Sequence, residues 1–203
     1  MIPCTLKDEP EDFDARCRRR GRAWIAEHPG FNRPRDFWSQ FEPHIRAAFG
    51  GLCAYCAMLI MRGQIDHFRP IALLRSNDEA SLAYEWSNLR YGEAVLNGKK
   101  WKHVVLDPFD VQEGWFEILL PSLQLHATDM VPVALRELAA FTITKLGLRD
   151  GEVVIRYRRE WFKMYQNREL SLSGLRNVAP QIADAVESDL RNGKDWRVTE
   201  GGG

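Results

Sequence analysis

Gln64-Ile65-Asp66-His67-Phe68-Arg69-Pro70 is the stretch on which the rest of the chain turns. An apolar residue precedes an Asp-His pair, and Pro70, which cannot extend a sheet ladder, stops the strand just beyond it. A carboxylate and an imidazole are thereby expected at a strand end. Trp86-Ser87-Asn88-Leu89 and Asn97-Gly98-Lys99-Lys100 follow, offering two Asn side chains and then two Lys. Metal-assisted phosphodiester cleavage needs that assortment: a metal ligand, a general base, an amide to orient the base, a second ligand and positive charge.

Outward from this stretch the periodicity changes. Residues 1–14 are polar and punctuated by Pro, and read as an extended arm. Residues 15–27 carry Arg16, Arg18, Arg19, Arg20 and Arg22, then Trp24, Ile25 and Ala26, and read as a basic helix ended near Pro29-Gly30. Its arginines are either a solvated face or an edge turned toward phosphate. Residues 34–49 place Phe37, Trp38, Phe41, Ile45, Ala48 and Phe49 at helical spacing before the stop Gly50-Gly51. His44 on that helix is expected to be structural.

Downstream, residues 71–81 read as a loop or weak helix. Residues 82–89 approach a second strand, and residues 91–100 read as a short helix on which Asn97 and Lys100 share a face. Residues 115–120 and 123–126 form a hairpin turned at Pro121-Ser122. The last third is helical: residues 132–146, 152–165 and 173–190, the last split or started by Pro180. Gly201-Gly202-Gly203 is a flexible end. Asp107, in Leu-Asp-Pro-Phe, is expected to form a turn or a cap, His103 is a rival ligand to Asn97, and the seven Trp are assigned to the core by default.

Composition bounds the reading. A chain of 203 residues with 45% apolar and 11% aromatic side chains can build a core, which excludes wholesale disorder. The formal net charge is zero, so any nucleic-acid contact must come from a local basic groove. No run of apolar residues is long enough to span a bilayer, and the first residues lack the pattern of a secretion signal, so no membrane partner and a cytoplasmic location are expected. In that compartment Cys4, Cys17, Cys53 and Cys56 are expected as thiols or metal ligands.

The ordered set Cys53-Ala54-Tyr55-Cys56, Asp66-His67-Phe68-Arg69-Pro70, Tyr84-Glu85-Trp86-Ser87-Asn88-Leu89, Asn97-Gly98-Lys99-Lys100 and Leu106-Asp107-Pro108-Phe109 resembles the HNH endonucleases. The resemblance covers residues 50–118, about a third of the chain. Within the family it is most similar to small bacterial HNH proteins, some of which accompany ATPases in phage-defence systems. It implies an α+β protein with a ββα-metal core. The whole chain, residues 1–203, is then one nuclease domain: a helical arm (1–49), the core and hairpin (50–126) and a helical extension (127–203).

The resemblance also implies roles. His67 is the general base, Asn88 the residue that holds the catalytic loop and imidazole, and Asp66 with Asn97 the ligands of one divalent cation, Mg2+ or Mn2+. Arg69, Arg90, Lys99 and Lys100 are the candidate phosphate contacts. DNA is the implied substrate, and an ATPase or other subunit a possible partner in antiviral defence. Cys53 and Cys56 are half of a zinc knuckle, which needs four ligands. Residues 89–96 lack the second Cys pair common in the family, so the two thiols are expected in the core rather than borrowing Cys17, Cys4 or His103, and zinc is left out of the site. The alternative is an inactive HNH-fold subunit that binds nucleic acid or assembles with a partner. A metal-dependent hydrolase of small substrates fits the ligands but not the strand-helix frame.

Overall fold

A computed structural model describes residues 1–74 and 77–197, with the side chains of residues 77 and 78 left out. The flexible end expected at Gly201-Gly202-Gly203 lies outside the described residues, as do residues 75 and 76 of the expected loop. The architecture is α+β: eight α-helices and two separate two-stranded antiparallel sheets among the described residues. None of those helices is long and apolar enough to cross a membrane.

The expected arm at residues 1–14 lacks regular structure only over residues 1–10, gives way to a turn at residues 11–12 and helix from Phe13, and is not free. Met1 and Phe13 are buried, the Met1 amino group donates to Gln181 Oε1 at 2.8 Å, and Lys7 O accepts from Trp86 Nε1 at 2.7 Å. A π-helical turn, Asp14–Arg18, runs into α1, Arg19–Glu27. The second helix is shorter than its periodicity predicts. A 3-10 turn, Ser39–Phe41, leads into α2, Glu42–Ala48. Asp36 Oδ1 accepts from the backbone N–H of Trp38 and Ser39, so the first free donors of the helix are satisfied there and residues 34–38 stay outside it. Gly50 and Gly51, both at positive φ, end the segment as the sequence predicts.

Strand β1, Gln64–His67, is followed by α3, Asn77–Ala80, two 3-10 turns and strand β2, Leu89–Gly92. β1 pairs with β2 in the register Gln64↔Gly92, Ile65↔Tyr91, Asp66↔Arg90 and His67↔Leu89. Helix α4, Ala94–Lys100, packs on β1, and α2 packs on both strands. This corrects the expectation of a helix from residue 91. Tyr91 and Gly92 belong to the strand because pairing with β1, and the bond from Ala54 N to Tyr91 O, outweigh local helical preference.

The hairpin is where the sequence places it: β3, Phe116–Leu119, against β4, Gln124–Ala127. Helices α5 (Arg136–Leu146), α6 (Glu152–Gln166), α7 (Leu172–Val178) and α8 (Pro180–Arg191) complete the chain. Gly147, at φ 67°, ends α5 in the left-handed conformation, Ser171 caps α7, and Pro180 opens α8. Leu125, Ala139, Ile143, Leu146, Val154 and Leu175 fill the core beneath them.

Candidate active site

β1 brings Asp66 and His67 to one wall of an open groove of about 510 Å3, and α4 brings Asn97 to the same groove. Asn32, Arg33, Trp38, Gln64 and Trp101 also line it. The strand pair and the helix packed on it therefore put three of the four side chains singled out from the sequence around one space.

Asp66 is 4% exposed and doubly held. Tyr55 donates its hydroxyl to one carboxylate oxygen at 2.5 Å, and Lys100 Nζ donates at 2.9 Å. Lys100 is fully buried, and its ammonium also donates to His67 O at 2.6 Å. Burial pushes the Asp66 carboxyl up and the Lys100 ammonium down, and each partner opposes the push on the other.

His67 Nε2 lies 2.9 Å from Ala83 O. A carbonyl only accepts, so Nε2 carries the proton and the lone pair of the neutral ring is on Nδ1. Trp38 packs edge-on to the ring, with centroids 4.5 Å apart. Burial lowers the imidazole to about 4, with Lys100 and Arg33 adding to the effect and Ala83 O and Asp36 opposing it. His67 is thus neutral at pH 7, with a lone pair available to take a proton.

Asn88 does not line the groove; it ties its parts together. Its Oδ1 accepts from Arg69 N at 2.7 Å, and its Nδ2 donates to Leu82 O at 3.0 Å. Leu82 precedes Ala83, whose carbonyl holds the imidazole. One carboxamide thereby fixes both the loop leaving β1 and the segment that orients His67. Asn97 is partly exposed; its Nδ2 is 3.4 Å from Gln64 Oε1, and its Oδ1 makes no hydrogen bond among the described residues.

Two expected phosphate contacts are corrected. Arg90 is buried, forms a two-bond pair with Asp107 (3.0 and 2.6 Å), donates to Ser87 O and Leu89 O, and lies 3.7 Å from the centre of the Phe109 ring. Lys100 is spent on Asp66 and the strand. Both cations are structural because each is desolvated and fully paired. Asp107 meets the turn-forming expectation, since its Oδ1 also accepts from Phe109 N at 3.0 Å. Arg69 and Lys99 are exposed but stand off the groove lining. His103 packs against Phe141 and does not line the groove.

Three contributors escaped the sequence. Tyr55 sits inside Cys-Ala-Tyr-Cys, where a buried hydroxyl between two apolar thiols signals a required acceptor. Trp101 lies between two Lys, an aromatic in a charged setting. Arg33 carries no local signal; only the fold brings it to His67.

Two oxygen donors of the kind a hard cation takes line the groove: the Asp66 carboxylate, both of whose oxygens lie 2.9 Å from Lys100 Nζ and one of which also accepts from Tyr55, and the Asn97 amide oxygen. Among the described residues no three His, Cys, Asp or Glu side chains come together, so the rest of a cation's shell would fall to water and phosphate oxygens. The hydroxyl and ammonium on Asp66 are the kind of outer contact that aims a ligating carboxylate. The cysteines are all free thiols. Cys53 and Cys56 are buried, and Cys53 accepts from Glu93 N at 3.4 Å. Burial pushes Cys53 up, but hydrogen bonds from Cys56 and neighbouring backbone groups outweigh it and bring the thiol down to about 7.

No family model matches the chain, and neither a curated protein nor a solved structure matches it.

Proposed function

We propose that the chain is a metal-dependent endonuclease of the HNH, or ββα-metal, type that hydrolyses phosphodiester bonds in DNA. The observation that carries this is the meeting of Asp66, His67 and Asn97 on one groove, with the imidazole proton fixed on Nε2 by Ala83 O. His67 Nδ1 takes the proton from the attacking water. Asn88 positions rather than reacts: it holds Arg69 and Leu82, and through them the imidazole. Asp66 and Asn97 hold the divalent cation, Mg2+ or Mn2+, which when bound supplies charge stabilisation to the attacked phosphate and the departing oxygen. Tyr55 and Lys100 keep the Asp66 carboxylate in one orientation throughout.

Purified protein is expected to nick or cut plasmid DNA with Mg2+ or Mn2+ and to be silenced by EDTA. His67→Ala is expected to fold normally by circular dichroism and to lose cleavage by about 10²- to 10⁴-fold, the range for a general base. Unchanged cleavage in that variant overturns the assignment of the base.

One observation favours a second reading, a non-catalytic subunit with the same fold. The Lys100 ammonium already balances the Asp66 charge at 2.9 Å, which weakens the pull on a second cation. Titration of Mg2+ or Mn2+ by calorimetry separates the two: binding lost in Asp66→Asn supports the enzyme, and no binding supports the subunit.

A further inference from the structure

The groove is also lined by residues that hydrolysis itself does not use. Trp101 follows α4 directly, is 64% exposed and lines the same groove as His67. Its backbone sits at φ 43°, ψ −109°, a conformation that bulky side chains rarely adopt, and is held there by its N–H on Asn97 O at 3.0 Å. The Lys102 ammonium lies 4.7 Å from the centre of the indole, which places a cation beside an aromatic surface still largely open to solvent. Arg33 also lines the groove, is exposed and makes no ion pair among the described residues. Most arginines of the N-terminal helical segment differ: Arg16 is paired with Asp12, Arg18 with Glu9, Asp14 and Glu85, Arg19 with Asp14 and Arg22 with Glu85, while Arg20 lies over the Phe37 ring.

The groove thus presents an open indole with a cation against it and one arginine on its lining, in a chain with no net charge. A duplex hides the faces of its bases and is gripped through many phosphates, which calls for a broad basic footprint. An unpaired strand offers each base as a stacking surface, so part of its affinity comes from aromatic contact as well as from phosphate charge. An exposed indole with Lys102 against it and Arg33 on the same groove matches the second ligand and falls short of the first.

We propose that this groove takes an unpaired strand of DNA, one base stacking on Trp101 while the adjacent phosphate lies by Arg33 and His67. This deepens the nuclease reading and rests on it for the placement of the phosphate; the stacking contact is tested without cleavage.

The experiment is fluorescence anisotropy on the full chain in EDTA, with labelled oligo(dT), a duplex of the same length and oligo(rU). The single DNA strand is expected to bind tighter than the duplex by about tenfold or more. Trp101→Ala is expected to weaken it by roughly ten- to a hundredfold, while Trp101→Phe keeps most of the affinity. Arg33→Ala is expected to lower the slope of log affinity against log salt by about 0.7, the value for one phosphate contact on a single strand. Equal or tighter binding of duplex, or an unchanged affinity in a folded Trp101→Ala variant, overturns the proposal. Tighter binding of oligo(rU) overturns the assignment to DNA. Trp101-dependent strand binding without Mg2+-dependent cutting removes the nuclease reading and leaves the stacking site standing.

Discussion

The two strand pairs among the described residues are the same size and are built on opposite rules. β3 alternates, with Phe116 and Ile118 inward and Glu117 and Leu119 outward, and β4 buries Leu125 between two partly exposed neighbours. β1 and β2 bury Asp66, His67 and Arg90. Hydrophobic burial is enough to hold the first pair. The second keeps three polar side chains out of water only because each finds a specific partner: Lys100 and Tyr55 for Asp66, Ala83 O for His67, Asp107 for Arg90. Buried charge of this kind adds little net stability, and of the three only Asp66 and His67 line the groove, while Arg90 is held structurally by Asp107.

The largest expected effect breaks the pair at Asp66. Lys100→Met leaves a buried carboxylate without its cation and is expected to cost about 3–5 kcal/mol in urea unfolding. Leu125→Ala in β4 is expected to cost a similar ~2–5 kcal/mol by opening a cavity. The difference lies in the rescue. Adding Asp66→Asn to Lys100→Met is expected to recover part of the loss, because the stranded charge goes, whereas a cavity under β4 has no polar cure. Strict additivity of the two changes at Asp66 and Lys100 breaks the comparison.

The next effect is a dependence on pH. His67 is lowered from 6.5 to about 4, so the folded chain resists protonating it while the unfolded chain does not. The stability it contributes is complete above pH 6.5 and is lost as the pH falls through the folded value near 4. The shift of about 2.5 units corresponds to roughly 3 kcal/mol. Unfolding free energy measured between pH 7 and pH 4 is expected to fall less in His67→Gln than in the parent chain by about that amount. Parallel curves for the two proteins place the imidazole in water, against its burial.

Asn88→Ala comes third. Removing the carboxamide leaves Arg69 N and Leu82 O without their partner, at about 1–3 kcal/mol. Cleavage is expected to fall further than the stability loss accounts for, since the segment holding His67 is released. Asn88→Asp keeps the acceptor for Arg69 N and loses the donor to Leu82 O, and is expected to be intermediate in plasmid nicking. Full activity in a folded Asn88→Ala variant separates this residue from the site.

The same contrast explains what the sequence made legible. The β3–β4 hairpin and helices α5 to α8 follow from alternation and helical spacing, because their side chains obey a simple inside-outside rule. Asp66-His67, Asn88 and Asn97 stand out because strand-ending Pro70 and the Asn spacing mark them. Arg90 and Lys100 read from the sequence as phosphate contacts, because a charged residue normally keeps its head in water. Nothing in residues 89–100 shows that Asp107, seven positions further on, and Asp66, on the preceding strand, draw both cations inside. The start of α2 departs from the periodicity for a similar reason, since Asp36 acts through a cap that helical spacing does not register.

The smallest expected effect concerns two glycines, one in each region. Gly114, beside β3, sits at φ +79°, so a larger residue is strained by its backbone, while the Met130 Sδ that a Cβ meets at 2.6 Å ends an exposed, flexible side chain that can move aside. Gly98, within α4, has no positive φ, and a Cβ there meets nothing within 4 Å because it points into open space at the groove. Glycine costs a helix about 1 kcal/mol relative to leucine. With no clash and no backbone need at Gly98, the feature left to account for a glycine is the room it leaves. Gly98→Leu is therefore expected to raise the melting temperature by roughly 2–4 °C while lowering both cleavage and strand binding. Gly114→Leu is expected to lower the melting temperature and leave the specific activity of the folded fraction unchanged. A Gly98→Leu variant that gains stability and keeps full activity shows that substrate does not pass over α4, and the path past Trp101 falls with it.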